Sequence, residues 1–397
     1  MAAQATATTP IKQKRFLAVT AVGMFLAQSV HLMLTPLLVE LSGDFNISVA
    51  VAGQLTAVTF AAWAVSVLSV GPISDSYGRR PVAVIGFGLL GASVLVSSLA
   101  PNFAVLFVLR IITGLTGGMI PPNSMAAVAD VLPPSKRARA FGLLMAFASL
   151  SSVVGLPMVA VLAGLGGWRV PFVAMGGMLL TCAVLQWSWF PRSQDTGPRT
   201  FSFLSRYKQM AGIGLFRATL AANLLQRMAY YGTMAYLAAF LINEHGLSVG
   251  KTALPLAIVG VGVVIGSSMA GTITAMNKRY LAVAVFAVAG GLASLVLYSL
   301  DMPVWATVVV ALAGTTVINV GWPTFLAIST EISGSSQATA VGMLGSSNQM
   351  GGLGGAALGG AVLALGGFSA VGFFCLAVTA ISALILLFGM GKRRPAD

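Results

Sequence analysis

Twelve apolar stretches divide this chain, and they restrict it to very few folds. They cover residues 16–39, 49–70, 82–100, 104–129, 140–163, 171–190, 212–242, 250–273, 281–300, 303–328, 339–364 and 369–390. Each comes near the ~20 residues that a helix needs to cross the hydrocarbon core of a bilayer. Inside lipid the backbone must satisfy its own hydrogen bonds, which leaves helices and closed barrels. A barrel would need segments of ~10 residues that alternate in polarity, and no such pattern runs through the chain. Only 8% of residues are charged, against roughly a quarter in soluble domains. The expected fold class is an all-α polytopic membrane protein with twelve transmembrane helices.

The formal charge of +13 follows topology rather than a polyanionic partner. With the N-terminus inside, seventeen Lys and Arg fall in segments on one side, from Lys12 to Arg394, and only Arg169 and Lys251 on the other. Cationic connections mark the cytoplasmic side of spanning helices. Both termini are therefore expected in the cytoplasm, in a multi-pass protein of the plasma (inner) membrane, and nucleic acid is not an expected partner. The first apolar run is too long for a signal-peptide core and lacks a small-residue cleavage site, so it is read as a helix. Cys182 and Cys375 lie in apolar segments without metal-ligand spacing and read as buried small hydrophobes. No metal site is expected.

The polar stretch from Pro191 to Met210 separates two halves that resemble each other. At an offset of 200, Leu37, Ser48, Val49, Gly71, Arg79, Gly91, Gly114, Gly142, Gly166 and Gly167 meet identical residues. Their preference for loops and helix ends points to duplication. The expected organisation is a cytoplasmic tail at 1–15, a six-helix bundle at 16–190, a cytoplasmic linker at 191–211, a second, pseudo-symmetric bundle at 212–390 and a tail at 391–397.

Between the second and third apolar runs lies GPISDSYGRR, with Gly71, Asp75, Gly78, Arg79 and Arg80. It resembles the signature G-x-x-x-D-x-x-G-R-R/K of the major facilitator superfamily of transporters. Over residues 12–394 the chain resembles that superfamily, and in particular its drug:proton antiporter branch. The resemblance implies that Asp75 with Arg79 and Arg80 latches the two halves. The plainer account is that the two arginines only obey the positive-inside rule. The second copy has Ala275 in place of Asp75, so any carboxylate chemistry of this gate belongs to the first half.

Two further elements resemble that branch. The fourth helix carries Arg110 and Gly114 in the manner of an L-x-x-x-R-x-x-x-G pattern. An arginine seven residues inside an apolar helix lies ~10 Å from its end. It either faces the interior with a partner or snorkels to the headgroups. The fifth helix ends with Gly155 and Pro157, followed by Gly167, Trp168, Arg169 and Phe172. The family's exporters pair Gly directly with Pro, and here Leu156 intervenes. Gly and Pro at this place permit a kink and close helix packing.

In the resembled fold, the first, fourth, seventh and tenth helices surround a central cavity. On that basis Met24, Gln28 and His31 are candidate substrate-binding residues on one face of the first helix. Asn223, Arg227, Tyr230 and Tyr231 form a similar stripe on the seventh, with Asn319 and Trp322 on the tenth and Asn348 on the eleventh. Tyr, Trp and Met here serve equally well as ordinary helix packing. Arg227 is different, because a charge at the membrane midplane is a functional candidate by default. Every carboxylate, by contrast, lies at a helix end or in a loop: Glu40, Asp44, Asp75, Asp130, Asp195, Glu244, Asp301, Glu331 and Asp397. The expected substrate is therefore neutral, anionic or zwitterionic.

An unperturbed imidazole titrates near ~6.5, which makes His31 the first candidate for carrying protons and Asp75 the second. Buried packing of His31 and uncoupled diffusion remain open alternatives. Helix eleven is glycine-rich but has no phosphate-loop context. Neither ATP nor any other cofactor is expected. The reading is a secondary carrier that exports small amphipathic drugs or metabolites, probed against the alternative of an organic-anion or zwitterion carrier. Its expected partners are a small-molecule substrate, protons and the lipid bilayer, with the chain as a monomer. It is not expected to be an enzyme, since nucleophile, acid–base and metal groups are not clustered.

Overall fold

The computed structural model describes residues 10–191 and 203–390, which form sixteen α-helices. Several crossings are built from two helices hinged at a proline. α1 (Pro10–Leu32) reaches α2 (Leu38–Asp44) through a 3-10 turn, Thr35–Leu37, that contains Pro36. α3 (Val49–Tyr77) and α4 (Arg79–Ser97) follow. α5 (Phe103–Gly117) gives way to α6 (Ile120–Val131), which opens on Pro121 and Pro122. α7 (Pro134–Leu150) passes into α8 (Leu156–Gly166) through a π-helical turn, Ser151–Gly155, just before Pro157. Proline removes a backbone donor and crowds the preceding turn, so each of these spans bends there. α9 (Arg169–Trp189) closes the first half.

The second half comprises α10 (Phe203–Gly212), α11 (Gly214–Asn243), α12 (Ala253–Thr274) and α13 (Arg279–Ser299). α14 (Val304–Asn319) and α15 (Gly321–Ile332) are again hinged near a proline, Pro323, and α16 (Gln337–Met390) ends the described chain. α16 contains two of the apolar runs and is interrupted at Gly366 (φ −143°, ψ 17°) and Gly367 (φ 70°, ψ −166°).

Among the described residues, ten helical spans are long and apolar enough to cross a membrane. The chain is thus an all-helical, multi-pass membrane protein. α11 is 30 residues long but carries Arg217, Asn223, Gln226 and Arg227 and is not one of the ten.

Two sequence expectations shift at the segment ends. Pro10–Arg15, expected in a tail, already belongs to α1, because Lys, Gln and Arg extend a helix readily. The expected linker is helical over Phe203–Gly212. Its residues 192–202, with the tail positions 1–9 and 391–397, lie outside the described residues.

Some positions 200 residues apart share a backbone geometry. Ser48 and Ser248 share φ −73° and ψ 155° ahead of corresponding helices. Gly167 (φ 80°, ψ 178°) and Gly367 both take a positive φ that side chains rarely adopt. An ion pair also recurs: Arg79 meets Asp130 at 3.1 Å, and Arg279 meets Glu331 at 2.6 Å. The second half has lost the loop carboxylate but keeps a pair at the same end of the molecule.

That end, where α1 begins and α3 turns into α4, is the basic end of the molecule. α4 packs on α9, α5 on α3 and α4, and α16 on α11, α13 and α3. Large apolar side chains such as Val184, Leu165 and Phe388 remain exposed on the outside, as a surface facing acyl chains requires. Both cysteines are buried and neither is in a disulfide.

Candidate functional site

Helices from the two halves of the sequence meet along a seam of small residues. α16 approaches α3 where Gly352 lies on the ring of Phe60 and Gly360 lies by Ala50 and Tyr236. Nearer the end opposite the basic one, Gln54 donates from Nε2 to the carbonyl of Ala357 at 3.4 Å. α8 meets the turn before α12 so closely that a Cβ at Gly164 would stand 2.9 Å from Cα of Gly250. Gly260 of α12 sits against the carbonyl of Ser152 in the π-helical turn. Beside the Gly164–Gly250 contact, a cleft of about 510 Å³ is lined by Glu40, Ser248 and Lys251 among others.

Behind this seam the rings form a continuous ladder. The Arg227 guanidinium lies 4.9 Å from the ring centre of Tyr230. Tyr230 and Tyr231 follow at 4.8 Å, Tyr231 and Phe60 at 4.6 Å, Phe60 and His31 at 4.3 Å, and His31 and Trp63 at 4.1 Å. The ladder draws on α11, α3 and α1, and so crosses from one half of the chain to the other. Tilted and edge-on contacts of this kind suit the quadrupoles of the rings.

The polar groups along it are incompletely paired. His31 is buried with the Gln349 side chain alongside, yet neither ring nitrogen has a partner in hydrogen-bond geometry. The buried oxygens Oε1 of Gln28 and Oε1 of Gln349 are also unpartnered. Asn348 donates to the Tyr231 hydroxyl at 3.4 Å. Buried polar atoms normally find partners, so these unpartnered groups make the ladder the candidate site.

Arg227 is 3% exposed and holds α11 to α14. It donates to Oδ1 of Asn319 at 3.0 Å and to the carbonyl of Ile318 at 2.9 Å, while its Nε has no partner. Arg110 is fully buried, donates to Ser97 at 3.1 Å and lies over the ring of Phe172 at 4.9 Å. It does not snorkel. Among the described residues neither arginine is salt-bridged to a carboxylate.

The remaining expected residues fall elsewhere. Asn223 donates to Ser347 at 3.1 Å and ties α11 to α16. Met24 is a fully buried core residue. Trp322 packs on a separate apolar cluster that includes Phe325 and Leu344, away from the ladder. Gly155 lies against Ser29 of α1, Pro157 opens α8, and Gly114 lies against the Thr59 carbonyl of α3.

At the basic end Gly78 (φ 88°) makes the break between α3 and α4, with Gly71 one helical turn before Asp75. Arg79 pairs with both Asp75 and Asp130 and also donates to Ser74. Arg80 stands apart from this network and donates instead to the carbonyl of Trp187.

Phe60 and Trp63 were not legible as site residues, because two rings in an apolar run carry no polar signal. Their spacing of three residues, on one face of α3, was the available hint. Gln349 was obscured by the glycines around it, and Asp130 and Glu331 by their place at helix ends.

The major facilitator superfamily matches residues 20–339 of this chain. An uncharacterized MFS-type transporter, YceJ of Bacillus subtilis (strain 168), is 23% identical over 245 residues, 62% of this chain and 63% of its own length. A probable sugar efflux transporter of Helicobacter pylori (strain G27) is 27% identical over 266 residues, 66% of each chain. The chain thus spans just under two thirds of the length of these relatives. The crystal structure of a bacterial homolog of the human lysosomal transporter Spinster, inward-facing and unoccupied, superposes with a TM-score of 0.74. It covers 97% of this chain and 96% of its own at 16% identity, a likeness of fold.

Proposed function

The chain belongs to the major facilitator superfamily, a family of transporters rather than enzymes, and from that premise we propose that it is a secondary carrier exporting small amphipathic drugs or metabolites by alternating access. The observation that carries this reading is the ladder from Arg227 to Trp63, with its unpartnered amides and imidazole, at the seam between the two halves. Rings offer apolar contact of variable shape, and the few polar atoms orient the cargo. The absence of a carboxylate along the ladder, among the described residues, favours substrates without a net positive charge. A relative named for probable sugar efflux agrees with neutral cargo.

Twelve crossings in two six-helix bundles follow if α11 spans and α16 spans twice, divided at Gly366 and Gly367. The basic end then faces the cytoplasm of a cell whose inner membrane holds the protein, in keeping with the positive-inside rule. The glycine seam seals the opposite end, and the Asp75–Arg79–Asp130 network stands at the cytoplasmic gate. Protons entering through His31 would drive export, with the protein acting as a monomer.

A second reading, a carrier of organic anions or zwitterions, is favoured by one observation. Among the described residues, Arg227 is a buried cation partnered by dipoles and a ring rather than by a carboxylate, and an anionic substrate would complete it.

The test is transport by purified protein in liposomes under an imposed pH gradient, with matched cationic, neutral and anionic probes. Export of neutral probes supports the first reading, and selective movement of anions lost in Arg227→Ala supports the second. Preference for a permanently cationic probe, with Arg227 dispensable, would sink both.

A further inference from the structure

Arg79 and Arg80 are adjacent in sequence, yet they face different surroundings. Both described acids of this region, Asp75 and Asp130, are taken by Arg79. Arg80 lies with its guanidinium 5.1 Å from the ring of Trp187, donates from Nη2 to the Trp187 carbonyl, and keeps a buried Nε without a partner. Among the described residues no carboxylate pairs with it.

The surroundings add positive potential and an apolar support. Trp187 is 63% exposed at the basic end of α9, and α9 packs on both α4 and α1. Arg15 lies over Trp189 at 5.5 Å on the same helix end, with Lys12 and Lys14 exposed nearby in sequence. Arg80 is in the first turn of α4, whose N-terminus has no side-chain cap. The uncapped amides of that turn favour an anion. Tryptophan is enriched where acyl chains meet headgroups, and a guanidinium matches phosphate oxygens in a fork geometry.

We propose that Arg80 and Trp187 form a discrete binding site for the phosphate of an anionic phospholipid at the basic end of α4 and α9, flanked by Arg15. The phosphate takes the free face of the Arg80 guanidinium, and Trp187 lies along the glycerol and upper acyl region. Because Arg79 is the preceding residue, an occupied site ties the α3–α4 turn, and with it the Asp75–Arg79–Asp130 network, to the bilayer.

The experiment is thermal unfolding of the full-length protein in neutral detergent, titrated with phosphatidylglycerol, with phosphatidylcholine and with inorganic phosphate. Ligand that binds only the folded state raises the midpoint with concentration. Phosphatidylglycerol should stabilise the wild type, phosphatidylcholine and inorganic phosphate should not, and Arg80→Gln should weaken the apparent affinity about tenfold or more. Arg80→Lys, which keeps the charge, should fall between them. Lys136→Gln with Arg139→Gln, cations of α7 at the same end, should leave the lipid effect in place. The proposal is overturned if Arg80→Gln responds like the wild type, or if the α7 variant loses as much. It is equally overturned if phosphatidylcholine or inorganic phosphate stabilises as well as phosphatidylglycerol. Should Arg80→Gln fail to fold, native mass spectrometry of Trp187→Phe decides: loss of a retained phosphatidylglycerol supports the site, and undiminished retention refutes it.

Discussion

Arg227 donates to Oδ1 of Asn319 at 3.0 Å, joining α11 to α14 through a cation and an amide rather than through an ion pair. Removing the guanidinium leaves Oδ1 of Asn319 unmatched in a buried place. Arg227→Ala should therefore destabilise the protein by about 1–3 kcal/mol, read as a lower thermal midpoint in detergent. Asn319→Asp should do the opposite to stability, since a carboxylate would pair with the cation. It should also depress movement of anionic probes, and unchanged anion transport in that variant would argue against Arg227 as a substrate contact.

The seam between α12 and the π-helical turn has no room for a side chain at Gly260, which lies against the Ser152 carbonyl. Gly260→Val should push the halves apart at the end opposite the basic one. In a background with Gln54→Cys, labelling by a membrane-impermeant maleimide should rise several-fold over the same background with Gly260 intact. Equal labelling would mean that this contact does not hold the seam closed.

Arg279 and Glu331 form an ion pair at the basic end with Glu331 48% exposed. Exposed pairs are screened and contribute little, so Glu331→Gln should cost no more than about 1 kcal/mol in midpoint-derived stability. Arg79 is 13% exposed and serves two acids. Asp75→Asn combined with Asp130→Asn should therefore impair transport far more than Glu331→Gln does, as measured by initial rates in matched liposomes.

His31 packs on Trp63 at 4.1 Å between ring centres. If His31 carries the coupling proton, Trp63 emission should respond to pH, because an imidazolium quenches indole. His31→Phe keeps a ring in the ladder and should remove both the pH response and the coupling to a proton gradient. A pH response that persists in His31→Phe would move the coupling site elsewhere.

The sequence alone determined that the chain is an all-helical membrane protein, and it offered a repeat at an offset of 200 as an expectation. Apolar length and Gly–Pro punctuation carry the membrane character locally, and Gly167 and Gly367, 200 residues apart, both take a positive φ. It also marked Arg110 and Arg227 as buried functional candidates, since a charge in an apolar run needs an interior place. Only the tertiary structure decided what those cations touch: Ser97 and Phe172 for one, Asn319 and Tyr230 for the other. It likewise brought Phe60 and Trp63 onto the ladder of rings, placed Trp322 in another cluster, and separated Arg80 from Arg79. The reason is physical. In water, a helix announces its inner face by contrast with a polar outer one. In lipid both faces are apolar and packing turns on close steric fit, so helix rotation and ring contacts emerge only when the neighbouring helices are in place.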